Sequence, residues 1–167
     1  DSNPNDLRFQ QDQFHKRTLL ARLVTMAAQV VSSDYVPHRQ LDKFLAAIPA
    51  EAVVVEFGSG NRRLLPQCIN VDLFPFPNVD VLSDITHTHF ADESIDYLIL
   101  DAVLEHAPNP QGVVDEIFRV LKPGGKVFCV APWMVPYHGC PKNYFNCSED
   151  GLSLLFGAFR QCEISVY

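Results

Sequence analysis

Four acidic residues stand at the ends of short apolar segments, and together they indicate one binding site. They are Glu56, Asp72, Asp84 and Asp101. If the apolar segments are parallel strands of one sheet, their carboxyl ends meet at a single edge, where open α/β sheets bind ligands. Any one of these carboxylates has an ordinary explanation, because an acidic residue after a strand often caps a turn or a helix. Four of them at one edge instead predict a crevice for a ligand that carries positive charge.

The loop after the first apolar segment, EFGSGN over residues 56–61, narrows the choice of ligand. The chain has no GxxxxGK[ST] motif for a nucleoside triphosphate, and Arg63 stands where a dinucleotide-binding loop has its third glycine. Glu56 would also repel a pyrophosphate. S-adenosylmethionine fits better, because it has no phosphate, carries an ammonium and a sulfonium, and offers ribose hydroxyls to a carboxylate. The glycines allow the backbone to approach such a ligand closely, since they have no Cβ.

The elements that must position these residues follow from the apolar pattern. Continuous β-branched residues predict a buried parallel strand over 52–57. An apolar stripe at helical spacing over 113–121 predicts a helix that ends at the KPGG of 122–125. This alternation favours a Rossmann-like, doubly wound, mostly parallel α/β sheet with helices on both faces. The other predicted elements are strands over 69–72, 79–82, 97–100, 126–131 and 163–167, and a helix over 151–159.

The chain is expected to form one domain with an N-terminal addition, since its 167 residues are an ordinary size for a single domain. Residues 1–49 hold a polar arm and two amphipathic helices. The first helix runs from Leu20 to Val31, and the second runs from Leu41 to Ile48 and stops at Pro49. Residues 50–167 form the predicted cofactor-binding core.

Composition and charge exclude several classes of partner. Thirteen basic and twenty acidic side chains give a formal net charge of −7, which disfavours binding to nucleic acid or to an anionic membrane surface. No apolar run approaches the roughly 20 residues that span a bilayer. The five cysteines form an odd set without a repeated spacing, which is typical of a reducing compartment, so we predict a cytoplasmic protein. No feature of the sequence predicts an oligomeric state.

An ordered series of motifs resembles the class I methyltransferases that use S-adenosylmethionine, and in particular their type 11 group. The series begins with the GSGN loop and continues with FADESID over 90–96, VLEH over 103–106 and RVLKPGG over 119–125. The resemblance covers most of the predicted core. It implies a methyltransferase with S-adenosylmethionine as its cofactor, and we expect a small-molecule or saccharide-type acceptor.

The resemblance also implies a role for each residue of the crevice. Asp72 would accept hydrogen bonds from ribose hydroxyls, and Leu73 would contact the edge of the adenine. Asp84 and Ile85 would also contact the adenine. The residues that would face the methionine and ribose part are Glu56, Gly58, Ser59 and Gly60, and those near the reacting methyl are Asp101, Ala102 and Val103.

Two features depart from the family pattern. Gly60 and Asp72 are twelve residues apart, whereas an acidic partner about 20 residues on is usual, so the first crossover helix is expected to be short or missing. Arg62, Arg63 or the N-terminal arm would then hold the carboxylate end of the cofactor. The sequence ends at Tyr167, about where a sixth strand would stand. The terminal antiparallel strand is therefore expected to be absent, either because the chain is truncated or because its sheet is smaller.

His138 is the first choice for a catalytic base. It lies in an irregular segment after the fifth strand, and an imidazole is the side chain best suited to accept a proton at neutral pH. Asp101 is the second choice, since its strand end should lie close to the methyl, and His106 is expected to shape the cofactor pocket. His138, Cys140 and Cys147 lack the close spacing of a structural zinc site, so no metal is predicted.

Two other functions stay open at this point. A domain that binds the cofactor without catalysing a reaction would serve as an interaction or regulatory module, and the shortened crossover favours it. An NAD-dependent oxidoreductase is disfavoured by the missing third glycine. Cofactor binding without methyl transfer would indicate the module, and binding of NADH would indicate the oxidoreductase.

Overall fold

Parallel strands form the centre of the structure, a computed structural model that describes residues 36–133, 137–139 and 142–164. Five strands make one sheet: β1 (Val54–Phe57), β2 (Ile69–Asp72), β3 (Val81–Leu82), β4 (Ile95–Asp101) and β5 (Leu121–Val130). Their order is β3-β2-β1-β4-β5, and every pairing is parallel. The predicted doubly wound, mostly parallel fold is therefore confirmed.

Helices cover both faces of this sheet. The described helices are α1 (Val36–Ala46), α2 (Pro110–Val120), α3 (Glu149–Leu155) and a 3₁₀ helix (Leu104–His106). Leu41 of α1 packs on one face against Val54 and Ile99, and α2 packs on the other face. None of the described helices is long and apolar enough to cross a membrane.

Local sequence explains where α2 begins and which of its side chains are buried. The side-chain oxygen of Asn109 accepts a hydrogen bond from the Gly112 N–H at 3.1 Å, and Pro110 occupies the first turn, where no backbone donor is needed. The helix then buries an apolar stripe, and each fully buried aliphatic side chain stabilises the fold by about 1.5–3 kcal/mol. That stripe consists of Val113, Val114, Ile117 and Val120.

No helix occupies the connections between β1 and β4, all of which are described. Hydrogen bonds hold the first two connections instead. The Arg63 guanidinium donates to the Cys68 carbonyl at 2.5 Å and to Asp80 Oδ1 at 2.8 Å, and the buried Asn70 amide donates to the Arg62 carbonyl at 2.6 Å. The predicted loss of the first crossover helix is confirmed, and the next two connections also lack a helix.

Some element ends differ from the prediction. β5 begins at Leu121 rather than at residue 126, because Leu121 pairs with Ile95 before the register shifts. α3 begins at Glu149 because Ser148 caps it, with Oγ accepting from the Gly151 N–H at 3.1 Å.

Other predicted elements are tested in part or not at all. The first two residues of the expected 163–167 strand, Glu163 and Ile164, belong to no strand. The other three residues of that strand, the N-terminal arm and the Leu20–Val31 helix lie outside the described residues.

Candidate functional site

The sheet reverses its order of connection at β1, which lies between β2 and β4. The chain runs from β1 to one side and returns to the other, and the carboxyl ends of the strands at such a switch point flank a ligand crevice. Phe57 is paired with Leu100, so Glu56 and Asp101 both lie at this end of their strands. Phe57 is also paired with Val71, so Asp72 follows at the same edge, and the sheet register brings together three of the four predicted carboxylates.

The glycine loop after β1 needs backbone conformations that favour glycine. Gly58 has a φ of +68° and Gly60 a φ of +57°. The Gly58 N–H donates to the Val71 carbonyl at 2.8 Å, which ties the loop to β2. A Cβ on Gly58 would lie 2.8 Å from Val103 Cγ1, whereas a Cβ on Gly60 would meet no atom of the described residues within 4 Å. Gly58 is therefore required by packing, and Gly60 only by its backbone angle.

Asp72, at the end of β2, is buried and organises the loops beside it. Its Oδ2 accepts from the Gly60 N–H at 2.8 Å, and its Oδ1 accepts from the Phe74 N–H at 2.9 Å. Each carboxylate oxygen has lone pairs for a further hydrogen bond, so ribose hydroxyls can still be accommodated. The ribose contact itself stays a prediction.

Arg62 connects the ends of β1 and β4 across the crevice. Its guanidinium donates to Glu56 Oε1 at 2.7 Å through Nε and to Asp101 Oδ2 at 2.7 Å through Nη1. Glu56 is fully buried, which raises the pKa of its carboxyl, and the charge of Arg62 acts in the opposite direction. Of the two arginines predicted to hold a cofactor carboxylate, Arg63 is engaged with Asp80, so Arg62 is the one at the crevice.

The predicted adenine side consists of residues with structural contacts of their own. Asp84 Oδ1 accepts from the N–H and the hydroxyl of Thr86, at 2.8 and 2.7 Å, in an ordinary turn. Ile85 packs against the core, and Leu73 is 63% exposed. The adenine contacts of these residues stay predictions.

The chain leaves β4 through a constrained turn. Ala102 has a φ of +57°, which is uncommon for a residue other than glycine, and its N–H donates to the Val130 carbonyl at 2.9 Å. Val103 then packs over Gly58, and the 3₁₀ helix follows. The predicted floor residues are thus held by β1 on one side and by β5 on the other.

Glu105 is a buried acid of this edge that sequence reasoning missed. It is 0% exposed, and neither of its carboxylate oxygens has a hydrogen-bond partner among the described residues. Its Oε1 lies 3.7 Å from His106 Nε2 and 3.6 Å from His138 Nε2. Burial raises the pKa of the Glu105 carboxyl, and the two imidazoles act in the opposite direction. The signal in the sequence was an adjacent Glu-His pair just after a strand end.

The segment after β5 is held against the 3₁₀ helix by its backbone. The Glu105 carbonyl accepts from the Tyr144 N–H at 2.7 Å, and His106 Nδ1 lies 2.5 Å from the Lys142 carbonyl oxygen. Tyr137 and Tyr144 are exposed and border a shallow depression of about 300 Å³, together with residues 143, 145 and 146. The ring of His138 contacts the ring of His106, with their centroids 5.2 Å apart. Cys140 lies outside the described residues.

Comparison with known proteins shows which family the sequence matches. The model of a family described as a methyltransferase domain matches residues 18–129. The sterol 24-C-methyltransferase of Schizosaccharomyces pombe is 47% identical over 57 residues, which are 34% of this chain and 15% of that protein. The arsenite methyltransferase of Halobacterium salinarum is 46% identical over 46 residues, which are 28% of this chain and 12% of that protein. Both matches therefore span a small part of the relative.

A solved structure adds a comparison of folds. It is the 1,6-didemethyltoxoflavin-N1-methyltransferase of Burkholderia thailandensis with bound 1,6-didemethyltoxoflavin and S-adenosylhomocysteine. Its TM-score is 0.59 at 19% identity, over 95% of this chain and 79% of that chain, and at this identity the likeness shows the fold alone. Because the family model covers more than half of the sequence, and the sheet has the expected order, the chain belongs to the methyltransferase domain family.

Proposed function

We propose that the chain binds S-adenosylmethionine at the carboxyl edge of its sheet and transfers the methyl group to a small-molecule or saccharide-type acceptor. Family membership supports the class of reaction. The observation that carries the proposal is the buried Glu56 carboxylate beside the glycine loop, at the switch point of the sheet. Glu56 and Asp101 both pair with Arg62, so the three side chains together carry net negative charge when both acids are ionised. This charge favours a cationic ligand and disfavours a phosphate.

Buried polar atoms of the crevice fit such a ligand. Ser59 Oγ and Glu56 Oε2 are buried and have no hydrogen-bond partner among the described residues. A buried polar atom without a partner costs about 1–3 kcal/mol. A ligand with an ammonium group and hydroxyls would satisfy both atoms.

Other residues would hold the rest of the cofactor. Asp72 would accept the ribose hydroxyls, and Leu73, Asp84 and Ile85 would border the adenine. Arg62 lies at the crevice, and it would hold the cofactor carboxylate by exchanging one of its contacts with Glu56 or Asp101 for that group.

Little further chemistry is required of the protein. When bound, S-adenosylmethionine supplies a methyl group that is already activated on a sulfonium. The protein then contributes proximity and alignment. Ala102 and Val103 would form a rigid floor, because both are fixed by contacts to neighbouring strands. The exposed rings of Tyr137 and Tyr144 offer apolar faces with polar tips to a planar or saccharide acceptor.

An oxygen or nitrogen acceptor also has a proton to lose, and a positioned side chain takes it most readily. His138 is better supported for this role than Asp101. The side chain of Asp101 is 18% exposed and pairs with Arg62, whereas the side chain of His138 is 38% exposed and is therefore more accessible to an acceptor.

Calorimetry and a radiolabelled methyl-transfer assay test the proposal together. The protein is titrated with S-adenosylmethionine and S-adenosylhomocysteine, and then assayed against panels of phenols, amines and saccharides. We expect binding of both cofactor forms and transfer to at least one acceptor class. Binding without transfer to any class would favour the inactive module, and absence of cofactor binding would overturn the proposal.

A further inference from the structure

Glu105 has no use in the methyl transfer described above, yet it is fully buried, and neither carboxylate oxygen has a hydrogen-bond partner in the part of the chain that the structure describes. Removing a carboxylate from water is costly unless it is paired, hydrogen-bonded or coordinated to a metal. The side chains that face Glu105 therefore indicate which kind of group offsets the cost of burying its carboxylate.

Two imidazole nitrogens face this carboxylate. His138 Nε2 and His106 Nε2 lie 3.6 and 3.7 Å from Glu105 Oε1, and one ligand atom from each residue lies within 4.8 Å of the others. Two ligands of a tetrahedral zinc ion, bound at its usual distances, stand about 3.4 Å apart. Small side-chain rotations would thus bring all three groups to one ion.

The backbone selects the tautomer of His106 that a metal requires. A carbonyl oxygen only accepts, so the 2.5 Å contact of Nδ1 with the Lys142 oxygen places the proton of the neutral ring on Nδ1. Nε2 then carries the lone pair, and it is the ring nitrogen that lies 3.7 Å from Glu105 Oε1. A carbonyl on the other ring nitrogen is the usual second partner of a metal-bound histidine.

When His106 is neutral and Glu105 is ionised, the Nε2 lone pair and the carboxylate are both acceptors, and their 3.7 Å separation is too long for a hydrogen bond. Either a proton on one of the two groups or a metal ion between them would stabilise this arrangement, and the second histidine at the same carboxylate favours the metal ion.

We propose that Glu105, His106 and His138 form a binding site for one divalent transition-metal ion, with zinc as the best fit. Two imidazoles and one carboxylate suit zinc and its neighbours, whereas magnesium and calcium prefer oxygen ligands alone. Three protein ligands leave a coordination position open. The side chains of His106 and His138 are 20% and 38% exposed, which gives solutes access to that position.

The open position would take an oxygen of the acceptor, and this part of the inference rests on the proposed function. A hydroxyl bound to the metal has a lower pKa, so it would lose its proton to solvent more readily. His138 would then act as a ligand rather than as the base. The metal site itself stands on the cluster geometry and is independent of methyl transfer.

Metal titration of the full chain tests the site. After treatment with a chelator, the protein is titrated with Zn²⁺ against a chromophoric competitor, and with Co²⁺ while its visible absorption is recorded. We expect one tight equivalent and a cobalt spectrum without a sulfur-to-metal charge-transfer band. Glu105→Gln and His138→Ala should each weaken zinc affinity by at least roughly 10–100-fold. His138 lies in an irregular segment, so its variant stays informative if Glu105→Gln does not fold.

The double variant His87→Ala/His89→Ala is the matched control, because both of these histidines are exposed on another connection. It should keep the affinity of the parent protein. Loss of the tight equivalent in this control, an unchanged affinity in His138→Ala, or a thiolate spectrum would overturn the metal site. Parallel calorimetry with S-adenosylhomocysteine on the metal-free protein keeps the two proposals apart. Failure of that binding counts against the proposed function alone.

Discussion

Single residues of the crevice combine a structural contact with a proposed ligand contact, and Asp72 is the clearest case. Its two oxygens hold the N–H groups of Gly60 and Phe74, so the same carboxylate shapes the glycine loop and the loop after β2. Substitution of Asp72 should therefore affect the ligand through the loop as well as directly.

Asp72→Ala should weaken affinity for S-adenosylhomocysteine by roughly 10- to 100-fold. Charge-assisted hydrogen bonds to two ribose hydroxyls would be lost, and such bonds contribute about 1.5–3 kcal/mol. Calorimetry gives the dissociation constant, and circular dichroism shows whether the variant is folded. Asp115→Ala, which changes an exposed carboxylate on α2, is the control and should bind normally. A folded Asp72→Ala with the parent affinity would remove Asp72 from the site.

The limits of sequence reasoning are also visible at single residues. The strand-end positions of Glu56 and Asp101 were predicted correctly, because apolar patterns locate strands and parallel strands share an edge. The ion pairs of Arg62 with Glu56 and Asp101 were not predicted. Arg62 and Asp101 are 39 residues apart in the sequence, and the pairing of β1 with β4 brings them together. The burial of Glu105 depends on the distant 142–145 segment, which no local pattern reveals.

Among elements, the closest contact at the site is between the glycine loop and the turn that leaves β4. Val103 occupies the space that a side chain at Gly58 would need. The loop and the turn therefore pack as one unit, and the backbone angle of Gly58 adds a second constraint.

Gly58→Ala should lower the free energy of unfolding by about 1–3 kcal/mol, because the added methyl overpacks against Val103 and the left-handed angle disfavours alanine. Gly60→Ala, with a similar angle and open space, should cost about 1 kcal/mol. Urea denaturation measures both. A double-mutant cycle with Val103→Ala should recover part of the Gly58→Ala loss. Equal costs at Gly58 and Gly60, or a cycle without coupling, would contradict the packing explanation.

Elements with a long periodic pattern were predicted best. α2 shows its apolar stripe in the sequence, and β1 and β2 were placed to within two residues, whereas the Asn109 cap of α2 was not predicted. The start of β5 was predicted too late, because the KPGG segment that follows α2 suits a turn and its pairing with β4 is set by tertiary contact. β3 was predicted over 79–82 but pairs only at Val81 and Leu82, because a short strand has too few residues for its ends to be located from sequence.

At the scale of the whole molecule, one buried acid joins the connection after β3 to α2. Glu116 accepts hydrogen bonds from the N–H and hydroxyl of Thr88, and from Arg119, which also contacts Asp92. Burial acts to raise the pKa of Glu116, but these hydrogen bonds outweigh it and lower the pKa to about 2. The ionised form of Glu116 is therefore the one that stabilises the fold.

Glu116→Gln should lower the free energy of unfolding at pH 7 by about 1–3 kcal/mol, since it removes charge-assisted hydrogen bonds. The folded pKa is depressed, so this contribution is fully present above the ordinary pKa of a glutamate. It is lost as the pH falls from there toward about 2. Urea denaturation across that range should show the parent and the variant converging. Glu51→Gln, at an exposed carboxylate, is the control. A difference that stays constant to the lowest pH would contradict this role.

The connections between β1 and β4 contain no helix, and this affects which parts of the sheet are most stable. α2 supports β4 and β5 through a broad apolar contact, whereas β2 and the two-residue β3 depend more on the hydrogen bonds of Arg63, Asp80 and Asn70. Local opening of the β2–β3 edge should therefore need less free energy than global unfolding. Since Asp72 ends β2, a cofactor that binds only the closed edge would stabilise it by about 2.7 kcal/mol at a hundredfold excess over its dissociation constant. Under the proposed function, the cofactor would thus supply part of the support that helices in the connections between β1 and β4 would otherwise give to this edge.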